Sequence, residues 1–308
     1  MKRTAFALCA LFCLTSSAWS QSEESAFQEP DGAPASLPEP KGVPRNSRSA
    51  NIKIVQGFDV GNADYMAVVG MIYTRSGDQS SLPKCTGVLI RPDMALTAAH
   101  CVCGSFVPTH IYVGRDPTRI VDGHGYYEIR RGAMRTANGC RPGGVHNLKS
   151  GLDLALVKLI KHASGIRTYD IASPDLIDRA QSFRIVGFGA TDSNALVYPW
   201  RKLRATVQPL SKDCVARAGL SDPSGYGCQT GEEIVAKGKG LTDTCAGDSG
   251  GPLLVTTNPE GTTVKLAGIT SRGVADGPLK CGSGGVYERM TPSAAQWIEA
   301  SASELAGL

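Results

Sequence analysis

His100 closes the apolar stretch "ALTAAHC", Asp153 heads "GLDLALVKL", and Ser249 sits among glycines in "TCAGDSGGPLL". A serine hydroxyl is a weak nucleophile until a base takes its proton, and an imidazole serves as that base when a carboxylate holds its tautomer. Glycines on either side of Ser249 let the backbone turn tightly enough for its amides to converge on one spot, where an oxyanion can be held. Each residue alone has a plainer reading: a hydrogen-bonded structural histidine, an aspartate opening a strand, a serine in a glycine turn. In the order His, Asp, Ser, separated by 53 and 96 residues, they form one of the few chain orders in which such a triad occurs.

The elements that must carry these residues are short. "TGVLI", "MALTAA", "LALVKLI", "FRIVGFG", "LRATVQPL", "GPLLVTT", "VKLAGIT" and "GGVYERM" are apolar or alternating, and Gly, Pro, Asp and Ser separate them. That is the pattern of strands and turns. "SPDLIDRAQ" and the residues before Cys214 predict single helical turns, and the basic run from Arg115 to Arg135 predicts a solvated loop face. Pro292 followed by "SAAQWIEASASEL" predicts a helix over 292–305, with proline in its opening turn. The fold class expected is all-β, closed by one helix.

Lys2 and Arg3, the apolar residues 5–14, and Ala18 and Ser20 before Gln21 predict a secretory signal peptide over 1–20. Its apolar run is too short to span a bilayer, so no membrane association is expected after its removal. Residues 21–53 hold five prolines and no cysteine; they bury too little apolar surface to offset ordering and predict a disordered propeptide. The folded part is expected over 54–308. A net charge of +4 at pH 7 is modest for 308 residues and implies no nucleic-acid partner.

Eight cysteines follow the signal segment, an even count that reads as disulfides in an exported chain. A zinc site at His100, Cys101 and Cys103 is the alternative, with a spacing that matches neither finger nor ribbon. "GRDPTRIVDGHGYYE" carries too many basic residues for a calcium loop. No metal and no cofactor are expected.

From Ile54 to the C-terminal helix the chain resembles the chymotrypsin-like, trypsin-type serine proteases, above all in "GDSGGP" following "DTC". The resemblance implies two six-stranded antiparallel β-barrels, roughly 54–165 and 166–290, with the active site in the cleft between them. It implies Ser249 as nucleophile, His100 as general base and then acid, Asp153 as the group orienting the imidazole, and the amides of Gly247 and Ser249 as oxyanion hole. Asp243, six residues before Ser249, falls at the base of the primary pocket, with Ser271, Gly273 and Gly285 as further pocket positions. A carboxylate at the bottom of an apolar slot favours a lysine or arginine and leaves an apolar residue facing an unpaired anion.

The resemblance also implies disulfides Cys85–Cys101, Cys214–Cys228 and Cys245–Cys281; Cys103 and Cys140 remain and pair by elimination, free thiols being the alternative. Two positions depart from the family. Arg272 stands where tryptophan is usual, a cation that would act on neighbouring subsites, and Phe188 stands where tryptophan is commoner. Family logic further implies a zymogen, in which cleavage between Lys53 and Ile54 frees an ammonium group to pair with Asp248. Gln56 replaces a more usual glycine in "IVQG", and a plain junction of linker and strand is the alternative. The expectation is an exported, secreted serine endopeptidase cutting after Lys or Arg. It would be monomeric, act on polypeptides and be open to proteinaceous inhibitors. The alternatives are a protease-fold binding protein without catalysis, and an active protease whose specificity Arg272 has shifted.

Overall fold

The computed structural model describes residues 54–308 except 62, 74–81, 104–106, 119–124, 141–151, 216–222, 259–262 and 275–278. The expected signal peptide and propeptide, Lys53 included, lie outside the described residues. Strands follow in the order Phe58–Asp59 (β1), Val68–Ile72 (β2), Pro83–Arg91 (β3), Met94–Thr97 (β4), His110–Val113 (β5), Gly125–Thr136 (β6) and Ala155–Leu159 (β7). The helix Pro174–Arg179 (α1) precedes Phe183–Gly187 (β8), Leu203–Ser211 (β9), Glu233–Lys237 (β10), Pro252–Thr256 (β11), Val264–Gly273 (β12) and Gly285–Arg289 (β13). The helix Pro292–Ala306 (α2) ends the described chain.

Strands β2-β3-β4-β7-β6-β5 close into one antiparallel barrel, and β8-β9-β10-β13-β12-β11 close into a second. The expected all-β double barrel is therefore what the chain forms. The short β1 pairs with β9, so this early segment belongs in space to the second barrel. Sequence pattern explains the closure. In β9 the alternate residues Leu203, Ala205 and Val207 are buried while Thr206 and Gln208 face solvent, the period of a strand with one wet side. In β4 and β7 every residue is buried, which accounts for their unbroken apolar runs.

Three local expectations need correction or refinement. The part of the basic run over 125–135 is not a loop: Ile129 and Ala133 turn inward along β6 while Arg130 and Arg131 stay exposed, so the charges mark the wet side of a strand. The residues before Cys214 make no helical turn, because β9 runs on to Ser211. The short helix at "SPDLIDRAQ" does form, capped by the Ser173 hydroxyl oxygen, which accepts from the Leu176 amide at 3.4 Å.

Helix α2 begins at a Thr291 cap, whose Oγ1 accepts from the Ala294 amide at 3.1 Å, and buries Ala294, Ile298, Ala302 and Leu305 along one stripe. Its far end is held by Lys158 of β7. The Nζ donates to the Leu305 carbonyl at 2.8 Å and the Ala306 carbonyl at 3.3 Å, a cation where the helix dipole is negative. All four expected disulfides are present: Cys85–Cys101, Cys103–Cys140, Cys214–Cys228 and Cys245–Cys281. Cys101 and Cys103 are thereby both oxidised, and neither offers the thiolate a zinc site needs. Among the described residues no helix is long and apolar enough to cross a membrane.

Candidate active site

Strand register brings His100 and Asp153 to the same end of the first barrel. Thr97 of β4 pairs with Ala155 of β7; His100 follows three residues after the first, on a 3₁₀ turn over Ala99–Cys101, and Asp153 precedes the second by two. The Asp153 carboxylate grips the histidine twice. Its Oδ2 meets His100 Nδ1 at 2.8 Å, and its Oδ1 accepts from the His100 backbone amide at 3.0 Å. Asp153 is buried while His100 stays partly open to solvent, so the bond at Nδ1 fixes the orientation of the ring.

The second barrel reaches across to the same carboxylate. Ser271, on β12, donates its hydroxyl to Asp153 Oδ2 at 2.7 Å. Ser249 arrives on the loop between β10 and β11, and its carbonyl accepts from the Thr86 amide of β3 at 2.8 Å, with Cys101 Sγ 3.6 Å from the same oxygen. Thr86 also donates its hydroxyl to the Gly247 carbonyl at 2.9 Å and accepts from the Phe188 amide at 3.2 Å. One buried threonine, which the motifs did not single out, thus ties the serine loop to the first barrel. Phe188, where tryptophan is commoner, packs edge-on to Tyr112 with ring centres 6.3 Å apart.

Gly250 explains part of the glycine pattern. Its φ is +80°, and a Cβ there would strike Thr97 Oγ1 and the Thr86 carbonyl oxygen. Gly250→Ala is expected to destabilise the fold by about 2–4 kcal/mol through left-handed strain plus overpacking. The check is the denaturant midpoint in a Ser249→Ala background, and a loss below about 0.5 kcal/mol, the range of an ordinary surface change, would contradict this account of the loop.

Asp243 lies beneath the loop, 1% exposed. Its Oδ1 accepts from the Thr244 amide at 2.8 Å, and its Oδ2 from the amides of Gly282 at 3.0 Å and Gly284 at 2.8 Å. Burial pushes its pKa up to about 6, with those amides pulling the other way. The residues that follow it, Thr244–Ala246, line a cavity of about 140 Å³ together with Ser249, Thr270, Arg272, Gly273, Lys280 and Cys281; Asp243 itself is not among the lining residues. Gly273 and Gly285 pair across β12 and β13. A Cβ on Gly285 would lie 2.7 Å from both Thr244 Oγ1 and Tyr287 Oη, whereas one on Gly273 would come no nearer than 3.7 Å to the Lys280 carbonyl.

Asp248 is fully buried beside Ser249. Its Oδ1 accepts from the Gly189 amide at 2.8 Å and its Oδ2 from the Cys245 amide at 2.9 Å, so close that a Cβ on Gly189 would sit 2.5 Å from the carboxyl carbon. Burial raises its pKa to about 7, the amide bonds oppose this, and the neighbouring Asp243 charge adds to it. Ile54 is wholly buried, and Val55 packs with Ala190, Cys245 and Cys281. Gln56 turns back to accept from the Leu241 amide at 3.3 Å, which gives the unusual residue of "IVQG" a role.

Arg272 lines the same cavity, and it is paired. It does not offer a lone cation to the cleft, because both terminal nitrogens pair with the buried Glu233, at 2.6 and 2.8 Å. Sequence reasoning passed over Glu233 and the buried Glu288. The available signal was an acid in phase with the buried residues of an apolar strand, Glu233 with Val235 and Glu288 with Val286.

Fold and site together define a serine endopeptidase of the double-barrel class. The profile of the trypsin family matches residues 54–298, and the chain belongs to that family. It is similar to the trypsin of Sarcophaga bullata, 30% identical over 233 residues, or 72% of this chain and 80% of that one. It is also similar to the trypsin of Saccharopolyspora erythraea, at 29% over 245 residues, 77% of this chain and 93% of the other. The solved structure of mouse neuropsin, a serine protease, shares the fold with a TM-score of 0.59 at 22% identity, over 80% of this chain and 98% of its own.

Proposed function

We propose that the enzyme cuts polypeptides after Lys or Arg, with Ser249 as nucleophile, His100 as base and then acid, and Asp153 orienting the imidazole. The observation that carries the catalytic reading is the double grip of Asp153 on the His100 ring and backbone. Ser249 Oγ would attack the scissile carbonyl as His100 Nε2 takes its proton, and the imidazolium would then protonate the leaving amine. The amides of Gly247 and Ser249 would hold the developing oxyanion, with the Gly247 loop braced by Thr86. Asp243 supports the basic preference: burial leaves its carboxylate short of stabilisation, which an incoming ammonium or guanidinium supplies. Peptide substrates ending in Arg, Lys, Phe or Ala, assayed beside Ser249→Ala, test the reading. Preference for Phe would remove Asp243 from the pocket, and no turnover by correctly processed enzyme would end the catalytic claim.

The chain is further read as an exported, secreted precursor activated by cleavage after Lys53. A φ of +39° at Ile54 supports this. A β-branched residue is strained there, and cutting the preceding bond removes that torsion while creating an ammonium group. Asp248, buried with amide partners and no ion pair among the described residues, is the anion such a group would neutralise. Lys53→Gln is therefore expected to leave the precursor uncut and at least about a hundredfold less active, the lower end of what a missing buried ion pair costs. Intact mass and peptide hydrolysis check it together, and full activity in an uncut chain would end the zymogen reading. Lys53 itself suits the proposed specificity, so the mature enzyme is expected to cut its own precursor. Disulfides Cys85–Cys101 and Cys245–Cys281 suit an oxidising compartment.

A further inference from the structure

The surroundings of Arg272 are acidic on several sides. Its Nη1 bonds Glu233 Oε1 and also reaches Ser271 Oγ at 3.2 Å, while Nη2 bonds Glu233 Oε2 and the Gly227 carbonyl at 2.7 Å. The Ser271 hydroxyl is the same one that donates to Asp153. Glu288 of β13 stands directly across from Glu233 of β10. Both are buried, and like charges so placed repel. The Asp153 backbone amide donates to Glu288, whose Oε1 has no hydrogen-bond partner among the described residues. Burial holds Glu288 well above the usual carboxylate range, the charges of Glu233 and Asp153 push the same way, and Arg272 opposes them. Asp153 is thus faced by His100 from the 3₁₀ turn, Ser271 and Arg272 from β12, and Glu288 from β13, with Glu233 of β10 beyond Arg272.

We propose that Arg272 is a positioning residue for the catalytic unit: through the Ser271 hydroxyl it supplies the positive charge that keeps Asp153 ionised and bonded to His100 in the company of Glu233 and Glu288. This rests on the assignment of His100, Asp153 and Ser249 given above. It gives Arg272 a part in the protonation of the site instead of in the choice of neighbouring substrate residues.

The pH profile of kcat/KM separates the two roles. The His100–Asp153 pair acts as a base only after losing its extra proton, and removing a nearby positive charge makes that proton harder to lose, whichever group carries it. Arg272→Gln should therefore move the acid limb to higher pH by about one unit, roughly a tenfold loss on the acid side. Glu233→Gln leaves Arg272 uncompensated and should move the limb the other way. Arg272→Lys keeps the charge and should stay near wild type, and Arg272→Gln with Glu233→Gln should fall between the single variants. Opposite shifts cannot come from a loosened fold, which lowers kcat/KM at every pH. Should Arg272→Gln fail to fold, Glu233→Gln and Arg272→Lys still carry the sign of the effect. Unmoved acid limbs, with Arg272→Gln changing only KM, would overturn the proposal and leave Arg272 a substrate contact. Failure of the catalytic assignment itself would appear elsewhere, as wild-type enzyme no more active than Ser249→Ala.

Discussion

Ser249→Ala is expected to lower kcat about 10⁶-fold on a good Arg or Lys peptide, and His100→Ala to cost a similar factor, while the double variant loses almost nothing more. The reason is that the residues act as one unit. Without the serine there is no nucleophile for the imidazole to activate, and without the imidazole the hydroxyl keeps its proton. Residual turnover should remain about 10³–10⁴ above water, from the amides of the Gly247 loop and from binding. Single-turnover assays on the folded, disulfide-bonded variants measure this. Additive losses in the double variant would mean that the two side chains act in separate steps, and the bond network around Asp153 would need another explanation.

Asp243→Asn is expected to reduce kcat/KM on Arg and Lys substrates by about 10³-fold, and to raise the relative rate on apolar ones. Breaking one side of a buried ion pair costs about 3–5 kcal/mol, and here the enzyme's side is already desolvated, so little of that cost is recovered from water. The amides of Thr244, Gly282 and Gly284 can still be met in part by the asparagine oxygen, which keeps the loop folded and makes the readout one of recognition. A ratio of Arg to Phe turnover unchanged from wild type would show that the cation of the substrate never reaches Asp243.

Much of this was readable before any coordinates, and the exceptions share a cause. Each of the eight stretches read as strands lies on a strand, because each pairs an apolar face with nearby turn residues. Of the strands passed over, two have local patterns that mislead. β6 carries Arg130 and Arg131 on its wet side, and β10 opens with Glu233 directly after the turn residue Glu232, two acids that read as a loop. Glu233 is buried against Arg272, 39 residues further on, with the Gln229 amide as its local partner. A pairing of that reach leaves no local trace. The same holds in the site: "GDSGGP" and "TAAHC" announce their chemistry in a few letters, whereas the pairing of Arg272 with Glu233 depends on how β10, β13 and β12 fall into register.

The clasp between Lys158 and the end of α2 bears on how the molecule is made. Its acceptor carbonyl at Leu305 lies 147 positions after the lysine, so the first barrel is left without its closing partner while the second is still being translated. At about 5–20 residues per second that wait is roughly 7–30 s. During it the apolar stripe of α2 is missing, and the wall of β7 it covers is open. A nascent chain in that condition is open to chaperones and to aggregation, and a version lacking α2 would stay in the vulnerable state for good.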